Sequence, residues 1–184
     1  MIGVLLAGGR GQRLGGRPKA AIEVAGLPLA AYPAAALTTV CDRVALVAKA
    51  DSQLPALPGV ERWDEPAEPR HPLTGIVYAL ERAGESVLVC AADMPYVTGD
   101  ACATLIGGGG AASASVAVAA GVVQPLFAVY APAALDGLRA APQDARLTDT
   151  VEALRPARVA LPPAIVRSIN TPDDLAAAEA ELGA

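Results

Sequence analysis

The chain begins with an apolar run that leads directly into a segment rich in glycine and arginine: Ile2-Gly3-Val4-Leu5-Leu6-Ala7-Gly8-Gly9-Arg10-Gly11-Gln12-Arg13-Leu14-Gly15-Gly16-Arg17-Pro18-Lys19. The apolar run is short and continuous, which is typical of a parallel strand buried on both faces. Glycines let the backbone approach a ligand closely, and the interleaved cations add positive charge. The stretch therefore predicts a phosphate-binding loop at the end of a buried strand, with Arg10, Arg13 and Lys19 as its cations.

Two well-known glycine motifs do not fit this loop. A dinucleotide-binding G-x-G-x-x-G that starts at Gly9 would need a third glycine where Leu14 stands, so we expect no NAD binding. A P-loop would need Lys and Ser or Thr where Arg17 and Pro18 stand. The phosphate-binding loop is therefore of another kind.

The rest of the chain predicts an α/β fold. Further continuous apolar strands are expected at 44–48 and 87–92, and helices at 29–39 and 73–83, an alternation that indicates a mostly parallel sheet with helices on both faces. Pro33 is expected to kink or split the first of these helices. Two more strands, 114–120 and 125–130, flank a predicted turn at Gly121 and suggest a mixed edge of the sheet.

Local signals mark two further segments of the chain. The tetraglycine 107–110 predicts a loop. The end of the chain predicts a helix that begins after Asn170, with Thr171 as N-cap, Pro172 in the first turn and Asp174 completing a capping box.

Composition narrows the class of protein. A chain of 184 residues with 53% hydrophobic content suits one domain, which we expect to span residues 1–184. The net charge of −5 argues against a nucleic-acid partner, and the long uncharged run 101–135 is too rich in Gly, Pro and Ala to cross a membrane. Met1 runs into apolar residues without a basic leader, so we expect a cytoplasmic protein.

Few side chains are available for soft-metal or nucleophilic chemistry. Three cysteines without a CxxC pair indicate neither a disulfide framework nor a zinc site. One histidine, His71, rules out a His-rich metal centre and most Ser-His or Cys-His arrangements.

Asp93 is the candidate metal ligand. It follows the apolar run 87–92, and a carboxylate at the carboxyl end of a buried parallel strand lies in the crevice where open α/β sheets bind ligands. Mg²⁺ commonly takes one or two carboxylates together with substrate phosphates and water, so a single aspartate is sufficient.

Several motifs, in order along nearly the whole chain, resemble one family. The first is Leu-x-Gly-Gly-x-x-x-Arg-x-Gly…Pro-Lys at residues 6–19, followed by Pro-Leu-Thr-Gly at 72–75, Asp-Met-Pro at 93–95, Pro-Leu-Phe-Ala-Val-Tyr at 125–130 and Asn-Thr-Pro-Asp-Asp-Leu at 170–175. Together they resemble the NTP transferases that include the molybdenum-cofactor guanylyltransferases and their sugar-nucleotide relatives. The resemblance implies a Rossmann-like three-layer sandwich of the nucleotide-diphospho-sugar transferase type.

The same resemblance implies a role for each matching residue. Lys19 would neutralise the charge of the nucleotide phosphates, Asp93 would bind Mg²⁺, and Asn170 would be the amide close to that metal. Asp64 stands where the family has an acid near the base, although an ordinary loop acid is an equal alternative. The remaining nucleotide-binding candidates are Leu6, Ala7, Gly8, Gly9, Arg10, Pro72, Leu73 and Gly75.

Three departures from the family pattern concern the site. Val47 or Ala48 stands where the guanylyltransferases commonly carry an Asn that touches the nucleotide, which leaves base selection open. Ser168 replaces the first Asn of the closing motif. His71 replaces a small residue before Pro-Leu, where it either contacts the base or, as we favour, is a partly exposed structural histidine.

The implied activity is Mg²⁺-dependent transfer of GMP from GTP to molybdopterin with release of pyrophosphate. Lys19, Arg13 and Asp93 would be the catalytic residues, because attack by an ionised phosphate needs positioning and charge neutralisation rather than a general base. The alternatives are a cytidylyltransferase, a transferase for a sugar phosphate or phospholactate, a nucleotide-binding regulator without turnover and, disfavoured by Leu14, a dehydrogenase.

Overall fold

Nine strands form within the part of the chain that the computed structural model describes, which is residues 1–8, 14, 16–142 and 144–183. Seven of them make one sheet, and two make a small hairpin. The bounds are β1 Ile2–Leu6, β2 Glu23–Val24, β3 Leu27–Pro28, β4 Arg43–Lys49, β5 Val60–Glu65, β6 Val87–Ala91, β7 Ala114–Ala119, β8 Val122–Tyr130 and β9 Ala157–Ala160.

The large sheet is mostly parallel, as the sequence predicts. Its order is β5-β4-β1-β6-β8-β7-β9, and β8 alone of the seven runs against its neighbours β6 and β7. The reversed strand lies inside the sheet rather than at its outer edge. A two-residue turn joins β7 to β8, and its residues Ala120 and Gly121 have φ of 48° and 78°, as a tight hairpin of this kind requires.

Helices cover both faces of the sheet, which confirms the three-layer α/β architecture. Neighbouring residues of β1 face opposite layers: Leu5 packs with Leu37 and Leu105, whereas Val4 packs with Ile76 and Leu138. The helices are α1 Ala31–Thr38, α2 Pro72–Ala83, α3 Gly99–Gly107, α4 Leu135–Arg139, α5 Leu147–Ala153 and α6 Pro172–Leu182. None of the described helices has the length and apolar character needed to cross a bilayer.

Two predictions about local structure need correction. Pro33 does not kink α1, because the helix begins at Ala31 and Pro33 lies in its first turn, where the missing N–H has no intrahelical partner to lose. The tetraglycine is not wholly a loop either, because Gly107 is the last residue of α3.

The closing helix forms as predicted. The Thr171 side chain accepts a hydrogen bond from the Asp174 backbone N–H, and the Asp174 side chain accepts one from the Thr171 N–H, so the capping box is complete. The helix packs on the β2–β3 hairpin through a small cluster that contains Val24, Ile169 and Ala178. This docking brings the end of the chain next to the end of β6.

Candidate active site

A cavity of about 350 Å³ opens at the carboxyl ends of β1, β4, β5 and β6. Each strand contributes its last residues or those just after it, including Leu6 and Ala7, Lys49, Glu65 and Asp93. This is the edge at which open α/β sheets bind ligands, because the connections that follow neighbouring parallel strands leave a crevice between them. The cavity is therefore the candidate active site.

Most of the predicted site residues meet at this cavity. Its lining includes Leu6, Ala7, Gly8, Lys19, Pro72, Gly75 and Asp93, and also Leu126 of β8. Leu73 is not in the described lining. Three further predicted site residues lie outside the part of the chain that the structure describes: Gly9, Arg10 and Arg13. Their roles stay predictions.

Lys19 bridges two oxygens at one end of the cavity. It opens a short 3-10 turn, Lys19–Ala21, directly after Pro18. Its Nζ lies 2.7 Å from Oδ2 of Asp93 and 2.5 Å from Oδ1 of Asn170. The ammonium thus occupies a position where a carboxylate and an amide oxygen converge on a single cation.

Asn170 is held in place by the end of the chain. Oδ2 of Asp174 accepts hydrogen bonds from the backbone N–H groups of Asn170, at 2.9 Å, and of Thr171, at 2.8 Å. The bond from the Asn170 backbone is the main reason that the pKa of Asp174 lies below its ordinary value. The capping box of α6 therefore also positions a site residue.

A second set of contacts holds the segment that contains Asn170 in place. Arg167 stacks over the ring of Tyr96, with 3.8 Å between the guanidinium carbon and the ring centroid, and pairs with Glu181 of α6. Tyr96 follows Asp93 closely in the chain, and Arg167 precedes Asn170. The stack therefore joins the two segments that supply the oxygens around Lys19.

The acid that reaches the cavity from β5 is Glu65 rather than Asp64. Asp64 points to the exposed side, where its Oδ1 pairs with Nε of Arg62 at 2.8 Å, and it is absent from the described lining. Glu65 lies on the other face of the strand, and its side chain is 7% exposed. Strand alternation could have revealed this, since the buried Trp63 places Asp64 outward and Glu65 inward.

Glu65 forms a buried ion pair with Lys49, a residue that sequence reasoning missed. The two are register partners on β4 and β5, and Nζ lies 3.4 Å from Oε1 of Glu65. Burial raises the pKa of the Glu65 carboxyl, and the charge of Lys49 opposes that effect. Lys49 also donates to the carbonyl oxygens of Pro66, at 2.5 Å, and Pro69, at 3.1 Å, and so fixes the cavity wall that follows β5.

His71 has a structural role and also faces the cavity. Its Nδ1 accepts a hydrogen bond of 3.2 Å from the backbone N–H of Leu73 and so caps the start of α2. An accepting Nδ1 leaves Nε2 as the ring atom that can donate. His71 lines the cavity beside Arg70 and Pro72.

The metal-binding capacity of the site rests on oxygen atoms. Among the residues described, no three His, Cys, Asp or Glu side chains cluster as a ready-made metal centre. Asp93 and Asn170 nevertheless present two oxygens to one point. Such a pair suits a hard cation that completes its coordination with phosphate oxygens and water.

The sequence matches the family model of the MobA-like NTP transferase domain over residues 3–159. The chain belongs to this family. A molybdenum cofactor guanylyltransferase of Cereibacter sphaeroides is 33% identical over 190 residues, which cover 99% of this chain and 97% of that protein. A probable molybdenum cofactor guanylyltransferase of Natronomonas pharaonis is 32% identical, with 83% of this chain and 80% of that protein covered.

Solved structures share the family fold. Molybdopterin-guanine dinucleotide biosynthesis protein A from Archaeoglobus fulgidus superposes with a TM-score of 0.74 at 24% identity and covers 98% of this chain and 97% of its own. The 2-C-methyl-D-erythritol 4-phosphate cytidylyltransferase from Thermus thermophilus superposes with a TM-score of 0.72 at 21% identity, with 98% of each chain covered. The MobA-like fold thus occurs in proteins named for different bases and acceptors.

Proposed function

We propose that this chain transfers GMP from GTP to the phosphate of molybdopterin and releases pyrophosphate. Membership of the MobA-like family and full-length similarity to a protein named molybdenum cofactor guanylyltransferase support the substrate pair. The observation that carries the proposal is the convergence of Lys19, Asp93 and Asn170 at one end of the cavity. Lys19 can neutralise part of the charge of a bound triphosphate, and the oxygens of Asp93 and Asn170 can hold a metal ion that neutralises more of it.

The reaction is a displacement at the α-phosphorus of GTP. An oxygen of the acceptor phosphate forms a bond to that phosphorus, and the bond from the phosphorus to the α,β-bridging oxygen breaks. Pyrophosphate leaves with the electron pair. An ionised phosphate is already a competent nucleophile, so the protein contributes positioning and charge neutralisation rather than a general base.

Lys19 supplies positive charge to the triphosphate. Its side chain is 16% exposed and that of Asp93 is 20% exposed, so both can be reached from the cavity. When phosphates enter, the ammonium can exchange its bond to Asp93 for a bond to a phosphate oxygen. A fixed cation at developing negative charge is a principal source of rate enhancement in phosphoryl transfer.

Mg²⁺ is the proposed cofactor, and the residues present fit it. The Lys19 ammonium lies within hydrogen-bond distance of Oδ2 of Asp93 and Oδ1 of Asn170, and this convergence of two oxygens on one positive group supports the proposal. Asp93 and Asn170 would hold the metal, with phosphate and water as its other ligands. When bound, Mg²⁺ supplies neutralisation of the negative charge on the phosphates.

The cytoplasm is the proposed location, because the three cysteines are free thiols, as is usual in a reducing compartment. The apolar surroundings of Cys41 and Cys102 raise the thiol pKa to about 11 and about 12, so these side chains are protonated.

Ligand-dependent thermal stabilisation tests the nucleotide. Purified protein would be heated with GTP, CTP or ATP, each with and without Mg²⁺, because a ligand of the native state raises stability as RT ln(1 + [L]/Kd). We expect the largest shift with GTP and Mg²⁺. A larger shift with CTP would favour a cytidylyltransferase, and no shift with any nucleotide would contradict the proposal.

Turnover is tested with molybdopterin as acceptor. We expect pyrophosphate release that needs GTP, Mg²⁺ and molybdopterin together. Binding of GTP without pyrophosphate release would indicate a regulator rather than an enzyme. Release with a sugar phosphate but not with molybdopterin would correct the acceptor.

A further inference from the structure

The side-chain amide of Asn170 is held at both of its ends. Oδ1 accepts a hydrogen bond of 2.5 Å from Nζ of Lys19, and Nδ2 donates one of 3.3 Å to the carbonyl oxygen of Ser168. The ammonium can only donate and the carbonyl can only accept, so these two contacts determine which amide atom faces which partner. The direction of Oδ1 therefore depends on the position of the Ser168 carbonyl.

The backbone is anchored on both sides of Ser168. On one side, the N–H of Ile169 donates a hydrogen bond to the carbonyl oxygen of Asp93. On the other side, the guanidinium of Arg167 lies 3.8 Å from the centroid of the Tyr96 ring. Both anchors belong to the segment that directly follows β6. The Ser168 carbonyl is thus fixed relative to the segment that carries the Asp93 carboxylate.

The anchor at Arg167 combines a stack with an ion pair. Nη1 of Arg167 lies 3.1 Å from Oε1 of Glu181, and Nη2 contacts Oε2 of the same carboxylate. A planar guanidinium can stack on an aromatic ring and pair with a carboxylate in the same conformation. Glu181 belongs to α6, so one side chain connects the segment after β6, the segment before Asn170 and the closing helix.

We infer that Arg167 is a positioning residue of the proposed metal site. Its stack on Tyr96 holds the Ser168 carbonyl in place, and that carbonyl directs Oδ1 of Asn170 towards the cation. The inference rests on the proposed function, because it concerns the Mg²⁺ proposed to bind there. Arg167 is not among the described residues that line the cavity, so it acts through Asn170 and not on the substrate.

Metal binding measured separately from turnover tests the inference. Mn²⁺ is the probe, because it is paramagnetic and the free ion can be counted by electron paramagnetic resonance. Its dissociation constant would be measured with protein in excess over GTP, for the unmodified protein, Arg167→Met and Arg167→Lys. Arg43→Met is the matched control, since Arg43 also forms a bidentate pair with an exposed glutamate, at the amino end of β4 and away from the cavity.

We expect Arg167→Met to weaken Mn²⁺ binding by about tenfold, the lower end of the effect of residues that orient metal ligands. The affinity for GTP in the presence of a chelator should be unchanged, because Asn170 is proposed to hold the metal and not the nucleotide. Arg167→Lys keeps a cation over the ring and should restore part of the Mn²⁺ affinity. Arg43→Met should bind Mn²⁺ as the unmodified protein does.

Unchanged Mn²⁺ affinity in a folded Arg167→Met variant overturns the inference, and so does an equal loss in Arg43→Met. Should Arg167→Met fail to fold, Tyr96→Phe and Tyr96→Leu decide, because both keep the pair with Glu181 and only Tyr96→Phe keeps the ring under the guanidinium. Equal Mn²⁺ affinities in those two variants would refute the role of the stack. Failure of the proposed function looks different, because the unmodified protein would then not bind GTP and Mn²⁺ together.

Discussion

The backbone N–H of Ile169 donates a hydrogen bond of 3.0 Å to the carbonyl oxygen of Asp93. Ile169 is buried in the cluster that docks α6 on the β2–β3 hairpin. One bond therefore joins the end of β6 to the end of the chain. Asn170, the next residue, is placed beside the Asp93 side chain as a result.

Replacement of Asp93 by Asn should abolish turnover and leave the fold intact. The change removes the negative charge that faces Lys19 and that would hold the metal, but keeps the shape of the side chain. Pyrophosphate release should fall to background while the thermal midpoint stays close to that of the unmodified protein. Asp144→Asn, in an exposed turn, is the control and should keep full activity. Substantial turnover by Asp93→Asn would refute the metal-binding role.

Lys19 should be needed for the rate of transfer more than for stability. Lys19→Met removes the ammonium that bridges Asp93 and Asn170, and loss of one such electrostatic group typically lowers kcat by about 100-fold to 1000-fold. Lys19→Arg keeps the charge with another shape and should lose less. Steady-state kinetics of pyrophosphate release would measure both. Equal, small losses in the two variants would show that charge at this position is unimportant.

The position of a cavity residue could be predicted from the sequence when that residue belongs to one short motif. Asp93 follows an apolar strand directly, and Lys19 closes the glycine-rich loop, so local pattern was enough to place each of them at the cavity. To predict that Glu65 reaches the cavity, one must also know that 60–65 is a strand and that this strand pairs with β4. The pairing of β4 with β5 also places Lys49 beside Glu65. Pairing between strands is tertiary information that a single run of residues does not encode.

Helix boundaries illustrate the same limit. Pro33 is incompatible with the middle of a helix, and the predicted start at residue 29 placed it there. The observed start at Ala31 removes the conflict by a shift of less than one turn. Helix ends are defined only to within one or two residues, so a sequence pattern does not fix a boundary of this kind.

Acid should destabilise the protein partly through Asp174. Hydrogen bonds from the Asn170 backbone and from Thr171 hold the pKa of Asp174 below its ordinary value. A carboxyl whose pKa is lower in the folded state stabilises the fold, and the stabilisation is complete above the unfolded-state pKa of about 3.9. This stabilisation is lost as the pH falls through the folded-state pKa. Asp174→Asn should therefore show a shallower fall of the thermal midpoint from about pH 5 downward.

Thermal unfolding across that pH range would measure the effect of Asp174. Asp173→Asn is the matched control, since it removes the same charge one residue away in the same helical turn. It should keep the pH dependence of the unmodified protein. Parallel curves for the two variants would contradict the assignment of the effect to Asp174.

Gly75 should be required for the wall that holds Glu65. A Cβ at this position would lie 2.9 Å from Cδ2 of Leu6 and 3.1 Å from Oε2 of Glu65. Gly75→Ala should therefore displace both side chains, with a loss of about 1–3 kcal/mol in the free energy of unfolding, as is typical of overpacking. Since the displaced groups line the cavity, GTP affinity should fall as well.

Gly107→Ala is the control for Gly75→Ala, because Gly107 also lies in a helix and a Cβ there would meet nothing within 4 Å. That change should be neutral or should stabilise the protein by about 0.4–1 kcal/mol through a smaller loss of chain entropy. Urea unfolding and GTP calorimetry on both variants would separate the general effect of adding a methyl group to a helix from contact at the site. If both variants kept the stability and GTP affinity of the unmodified protein, the close packing of Gly75 against Leu6 and Glu65 would contribute neither to stability nor to GTP binding.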